Sequence, residues 1–347
     1  VSDLNDAINA IMKEAQVKGS ELNIRGQLSY KALSQAATAG ARAFKKSSSW
    51  LVEDMANVSF TRLELSTIYG QVGLGKVESN TSTGSGACDI VITEPTWATG
   101  IWVVLEGAQF QFWGPSSALR ATVKLVKVNS DLRKLSFVTV SGNETTIVAG
   151  DDIYTKGAKT VDGYNEMAGL FKQYNPATVE LFGITRTPYT LLQGNEYSAV
   201  GEISSAKVVQ GASLAVDKGL MTDAVFLCGT KTFADLNAEN MGLRMFDSSY
   251  SPAKAENGAQ ALTYDHINGK ITVICHPFIK SADALLMDAN DALFVGSSKP
   301  TFEIPGMPDR FFRLVQDKNA VELQNYADLA VFVHKPGQGV IYSGITH

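Results

Sequence analysis

The sequence predicts an α+β protein. Three observations carry that expectation: one uninterrupted helical stretch, a strand-rich region after it, and an α/β unit in the second half. The helical stretch is 47–70. Ser47, Ser48 and Ser49 offer capping hydroxyls, Glu53 and Asp54 complement the dipole of a first turn, and Leu51, Met55, Val58 and Leu65 supply an apolar face. Neither Gly nor Pro interrupts it before Gly70, so a helix of about 20 residues would span ~30 Å.

Upstream, Leu4, Ala7, Ile8 and Ile11 stand at helical spacing and predict a short helix over 4–16. The polar stretch from Gly19 to Gly26 reads as an extended loop or hairpin, and small residues over 30–45 read as helix. Downstream, the Gly-, Ser- and Thr-rich stretch 73–86 reads as a loop or linker. The region 90–160 turns to β character, with β-branched and aromatic runs at 121–128 and 135–140, and reads as a small antiparallel module. An α/β unit follows: a helix over 204–218 stopped by Gly219, a buried strand at 224–228, and a helix capped by Thr230 or Thr232 running through Leu236. The last 80 residues are strand-rich, with runs at 271–275, 311–315, 321–323 and 329–333, and no internal repeat is apparent.

Composition narrows the function classes. In 347 residues, 45% are hydrophobic and only 19% are charged, below the usual quarter. A low charge fraction suits a chain whose faces are covered by neighbours. The net charge of −5 provides no basic field to draw in nucleic acid. Cys88, Cys228 and Cys275 are odd in number and far apart in sequence, so no disulfide framework is expected. No apolar run approaches the ~20 residues a membrane-crossing helix needs, and the start at Val1 shows no signal-peptide pattern.

The residues of common active sites are present without their spacing. His266, His276, His334 and His347 never stand at ligand spacing with another His or Cys, and the neighbours Cys275 and His276 would point to opposite faces of a strand. Gly70–Lys76 nearly matches the phosphate-binding GxxxxGK[ST] pattern, but Val77 replaces the hydroxyl residue and a helix, not a strand, precedes it. The glycines Gly70, Gly73 and Gly75 serve better to end the helix and allow close backbone packing. Ser213 imitates a nucleophile elbow but falls in a helical pattern. Asp151-Asp152 reads as a turn before it reads as a cation site. Trp97, Trp102 and Trp113 fit either the core of a small β module or a protein interface. Catalytic, metal and cofactor residues are therefore expected to be none.

In their order, several stretches resemble the HK97-type major capsid proteins of tailed phages. They are Leu65–Gly75, Thr96–Trp102 with Leu105–Ala108, Gly201–Leu236, Asn268–Pro277 and Gly337–Ile345, and the resemblance covers about 30–345. It implies an HK97-like capsid fold with an additional β-rich insertion. Residues 1–30 would be the N-terminal arm and E-loop segment, with the extended E-loop near 15–30. Residues 31–89 would form a peripheral domain with the spine helix at about 47–70, and 90–165 the insertion. Residues 166–200 would connect the peripheral domain, 201–320 would be mainly the axial domain, and 321–347 would return as strands to the peripheral domain. The resemblance implies self-assembly into hexamers and pentamers of an icosahedral head. That head would enclose double-stranded DNA without sequence-specific contacts. Portal, scaffolding and decoration proteins are the implied partners, with no membrane, and assembly would occur in the host cytoplasm before residence in the virion. Gly70, Gly73, Gly75, Trp97, Trp102 and Trp113 are the residues expected to serve structure and assembly. Deleting about 16–28 is expected to leave folded subunits that fail to form stable shells. The alternatives are an encapsulin-like compartment shell, a tail or decoration protein, and a nucleotide-binding enzyme using Gly70–Lys76.

Overall fold

The computed structural model describes residues 14–17, 19–31, 34, 41–84, 86–244, 262–303, 306, 311–315 and 319–347. Strand β1 (Ser20–Ser29) precedes the long helix α1 (Ala41–Tyr69). Next come β2 (Gly75–Gly84), β3 (Ala87–Ile92), α2 (Thr99–Val104), β4 (Gln109–Trp113), β5 (Leu119–Asn129), β6 (Lys134–Gly142) and β7 (Asp152–Thr155). Then follow α3 (Leu170–Tyr174), β8 (Asn195–Glu202), α4 (Ser205–Val216), β9 (Ala224–Cys228) and α5 (Thr230–Arg244). The chain closes with β10 (Leu262–His266), β11 (Gly269–Cys275), β12 (Ala284–Met287), β13 (Ala292–Thr301), β14 (Phe312–Leu314), β15 (Ala320–Val333) and β16 (Val340–Thr346).

Helix α1 has 29 residues and a length of about 43 Å. It begins upstream of the predicted start, so 47–49 lie inside it and not at its amino end. The Ser49 hydroxyl instead meets the Glu53 carboxylate one turn on, at 3.4 Å. The buried stripe is Met55, Ser59, Leu65 and Tyr69, while Val58 is exposed with Trp50 and Phe60. Ser59 survives in that stripe because its hydroxyl donates to the Met55 carbonyl at 2.8 Å.

This stripe rests on a four-stranded antiparallel sheet in which β15 is flanked by β1 on one side and by β13 and β14 on the other. The stretch Gly19 to Gly26, expected as an extended loop or hairpin, lies almost wholly within β1. That strand forms because its partner is some 300 residues away, from Ser20 against Leu329 to Ser29 against Ala320. Exposed and half-buried residues alternate strictly along β1. A side chain at Gly26 would stand 2.6 Å from the Met55 sulfur, so the helix approaches the strand closely there. The helix expected over 4–16 falls almost wholly outside the described residues, and 14–17 carry no regular structure.

Strands β2 to β7 close into a barrel in the order β2-β3-β6-β5-β4-β7. Its interior is filled by Val77, Ile90, Ile92, Phe110, Phe112, Val123, Leu125, Phe137 and Ile153. The stretch 73–86, expected to be a loop or linker, contains β2. Its Ser/Thr-rich half is exposed and is held as a strand by its ladder with β3. The β module therefore begins at 75, not 90. Closure removes the open edges that a small sheet would present.

A six-stranded mixed sheet has the order β8-β16-β12-β9-β11-β10, with β8 parallel to β16 and β9 parallel to β11. The α/β unit follows the sequence reading closely. Ser204 caps α4 through the Lys207 amide, Gly219 turns at φ 97°, and β9 lies at 224–228. Helix α5 continues to Arg244, past the expected Leu236. Ser213 sits inside α4 with its hydroxyl on the Gln210 carbonyl at 2.6 Å, which disposes of the elbow.

Two expected boundaries shift. Within 201–320, β13 and β14 leave the six-stranded sheet for the four-stranded one. Within 321–347, β15 joins the four-stranded sheet, but β16 is a central strand of the six-stranded one. The runs at 321–323 and 329–333 are one 14-residue strand. The cause is pairing between distant segments, Ala292 with Val333 and Leu285 with Ile341.

Where α4 packs on the six-stranded sheet, a Cβ at Gly211 would overlap the buried ring of Tyr342 on β16, whose hydroxyl donates to the Val208 carbonyl at 2.6 Å. Gly211→Val should therefore destabilise the chain by about 1–3 kcal/mol, as overpacking does. Urea unfolding of the two proteins measures it.

Candidate functional site

The residues nominated by the sequence converge at one junction. Helix α1 ends when the Gly70 amide donates to the Ser66 carbonyl at 2.9 Å, and the chain turns through Gln71 at φ 64° and Gly73 at φ 89°. At Gly70 a side chain would overlap the Met167 carbonyl, and at Gly75 it would stand 3.1 Å from the Trp102 ring. Trp97 and Trp102 stack at 6.4 Å in the barrel core, and Phe110 follows at 5.6 Å. Trp113 is buried apart from them, with Tyr154 and Ala158, where the Lys159 ammonium lies 5.4 Å from its ring centroid. Gly70, Gly73, Gly75, Trp97 and Trp102 are thus brought together, and Trp113 is not.

Lys280 fastens the junction to the six-stranded sheet, and sequence reasoning missed it. It follows β11, is 4% exposed, and donates from Nζ to the Gly73 carbonyl at 2.9 Å. The same ammonium lies 4.1 Å from the Tyr69 ring centroid, and the Lys280 amide donates to the Tyr69 hydroxyl at 2.8 Å. A buried cation is costly unless compensated. Burial pushes the Lys280 amine down to about 8, opposed by the charges of Asp283 and Asp152. Burial likewise pushes the Asp283 carboxyl up to about 6 against the pull of Lys280. A lone lysine in sequence reads as surface, so no local signal marks this one.

The phosphate-loop reading of Gly70–Lys76 fails on geometry. The segment joins a helix to a strand, and its amides are already taken: Gln71 by Glu166, Val72 by Tyr69, Leu74 by Ile153 and Lys76 by the Thr96 hydroxyl. The Lys76 ammonium faces Asp152 at 3.9 Å. Asp151 receives the Val148 amide at 3.0 Å and lies 3.6 Å from Arg120, so the acidic pair is internally compensated. His276 is likewise committed, with Nε2 2.7 Å from Glu64 on α1 and Nδ1 accepting the Phe278 amide at 3.2 Å. No cluster of three or more metal-ligating side chains occurs among the described residues.

What the surface offers instead is apolar contact area. Leu293, Phe294 and Val295 on β13, with Phe311, Phe312 and Leu314 around β14, are 44–72% exposed. Both faces of β13 contribute, and among the described residues the outer edges of β1 and β13 pair with nothing. The distal half of β13 is broken by register shifts and carries Lys299 and Pro300, which block indiscriminate edge pairing. The proximal half is regular and apolar.

No protein-family profile matches the sequence, and no curated protein matches it. Solved structures similar to the chain include phage capsid chains and an encapsulin. A chain of the cyanophage A-1(L) capsid asymmetric unit gives a TM-score of 0.41 at 11% identity, over 55% of this chain and 63% of its own. A chain of the satellite phage P4 procapsid gives 0.39 at 8% identity, over 100% of this chain and 79% of its own. The SrpI encapsulin of Synechococcus elongatus PCC 7942 gives 0.28 at 10% identity, over 44% and 52%. At scores this low the likeness by itself carries no functional argument.

Removing the ammonium in Lys280→Met leaves the Gly73 carbonyl and the Asp283 carboxylate without their cation. The expected loss is about 3–5 kcal/mol, the range for breaking a buried charge arrangement, measured by denaturant unfolding. Between about pH 8 and 10.5 the unfolded chain binds the proton that folded Lys280 has lost, so its contribution to stability rises with pH.

Burial pushes Glu166, which accepts the Gln71 amide, up from 4.5 to about 7. Here the folded chain holds the extra proton, so stability falls as pH rises through that window. Glu166→Gln keeps an acceptor for the amide and should flatten this slope. Unfolding free energies at several pH values measure it.

Proposed function

We propose that the chain is a shell-forming subunit, the major capsid protein of an icosahedral phage head with an HK97-like fold. The observation that carries the reading is the apolar edge at β13 and β14, where six large side chains face solvent beside a strand edge that pairs with nothing among the described residues. A lone subunit gains nothing from that surface, and an exposed apolar edge invites aggregation unless a specific neighbour covers it. Copies that bury it against each other around five-fold and six-fold axes form pentamers and hexamers, which close when each heterologous contact sets the right angle.

In this reading α1 is the spine, the four-stranded sheet with α1 is the peripheral domain, and the six-stranded sheet is the axial domain. The barrel, strands from 75 to 155, is the insertion, displaced toward the amino end from the expected 90–165. Gly70, Gly73, Gly75, Trp97 and Trp102, with Lys280, hold these parts at a fixed angle. Double-stranded DNA is the enclosed cargo, contacted without sequence readout, and portal, scaffolding and decoration proteins are the further partners. The chain would assemble in the host cytoplasm and reside in the virion.

Because β1 covers the buried stripe of α1, deletion of 16–28 would uncover apolar core and is a poor test of assembly. Surface substitution is better. Purified chain should form closed shells in negative stain, and the double variant Phe294→Asp, Phe312→Asp should keep its circular dichroism and melting temperature yet stay dispersed. A wild-type chain that remains monomeric at high concentration, or a double variant that still builds shells, would overturn the reading.

A further inference from the structure

Two neighbouring strands of the six-stranded sheet each end in a cysteine. Strand β9 closes on Cys228 and β11 on Cys275, and the parallel register sets the two residues directly opposite each other. The ladder continues past them, with the His276 amide donating to the Cys228 carbonyl at 2.9 Å. We propose that Cys228 and Cys275 form a modification site, a thiol pair that a small disulfide of the glutathione class oxidises to an intramolecular disulfide.

Three observations carry the assignment. First, both side chains leave the sheet on one face. Side chains alternate along a strand, so Cys228 shares a face with Ala224 and Phe226, and Cys275 with Ile271 and Val273. Those four neighbours are buried in one core cluster, which also contains Cys228. Second, the spacing fits. Adjacent strands stand about 4.8 Å apart, within the roughly 4.4–6.8 Å between Cα atoms that disulfides span. The Cys228 thiol already leans across the gap, donating to the carbonyl of Ile274 on β11 at 3.8 Å. Third, access is divided. Cys275 is exposed and Cys228 is buried, so an oxidant meets the first sulfur and the second is reached through its neighbour. The remaining cysteine, Cys88, is buried in the barrel, where its ladder partners are Ser82 and Phe137.

The exchange proceeds in two steps. The Cys275 sulfur, as thiolate, attacks one sulfur of the small disulfide, whose S–S bond breaks and releases one small thiol. Cys228 then gives up its proton and attacks the Cys275 sulfur, expelling the second small thiol. Two cysteine thiols are oxidised, one small disulfide is reduced to two thiols, and the cysteine protons end on those thiols. Burial pushes the Cys228 thiol up to about 12, with Cys275 beside it as the smaller cause, and burial also raises the Cys275 thiol. That slows both thiolate steps, whereas the disulfide formed has no charge to desolvate. The new bond closes 229–274 into a loop that holds α5 and β10. The inference stands independently of the shell reading.

The full chain, reduced and then incubated under native conditions with oxidised glutathione at mildly alkaline pH, tests it. Alkylation in denaturant and peptide mass mapping should then find Cys228 joined to Cys275 and only Cys88 alkylated. Dithiothreitol should return all three cysteines to alkylation. Cys228→Ser should stop at a glutathione adduct on Cys275, and Cys275→Ser should leave Cys228 unmodified over the same time. The proposal is overturned if the wild-type chain keeps glutathione on Cys275 without joining it to Cys228, or if neither cysteine changes. It is equally overturned if the bond joins separate chains, seen as a dimer on a non-reducing gel, or if Cys88 is consumed as fast as the pair.

Discussion

One buried ammonium fixes the arrangement of everything around it. The long helix, the barrel and the six-stranded sheet share no continuous ladder. They meet at a turn whose Gly73 carbonyl receives Lys280 from the far sheet, with the Tyr69 ring beneath it. Desolvating that charge is unfavourable by itself, and its cost is offset only when carbonyl, ring and neighbouring carboxylates are all in place. Such a contact is an all-or-none device. It favours one relative placement over nearby ones, which a greasy contact of equal area would tolerate.

The glycines complete the same constraint from the backbone side. Gly73 takes a left-handed conformation that side chains disfavour, Gly70 admits a carbonyl at a distance no β-carbon permits, and Gly75 admits an indole where a β-carbon would be tight. The barrel is thereby brought against the helix end with Trp102 as its contact.

Legibility in the sequence tracked the range of the interaction. The helix expected at about 47–70 and the unit 204–228 were readable because periodicity and a stop glycine are local signals, although the serines expected to cap the long helix lie inside it. Strand β2 was not, because Thr and Ser in a polar run become a strand only when a neighbouring strand supplies the ladder. Nor was β1, whose partner lies across the whole chain. At the candidate site, the six nominated glycines and tryptophans were visible as unusual residues. Lys280 was not, since nothing near it in sequence distinguishes a buried lysine from a solvated one. Cys228 and Cys275 look remote in sequence yet stand side by side on adjacent parallel strands.

The place of β16 in the six-stranded sheet has a consequence for biosynthesis. This strand lies between β8 and β12, so residues 195–202 wait for a partner until residue 346 has left the ribosome. The first strand of the other sheet waits similarly for β15. A nascent chain is thus denied the finished form of either sheet until those late strands have emerged.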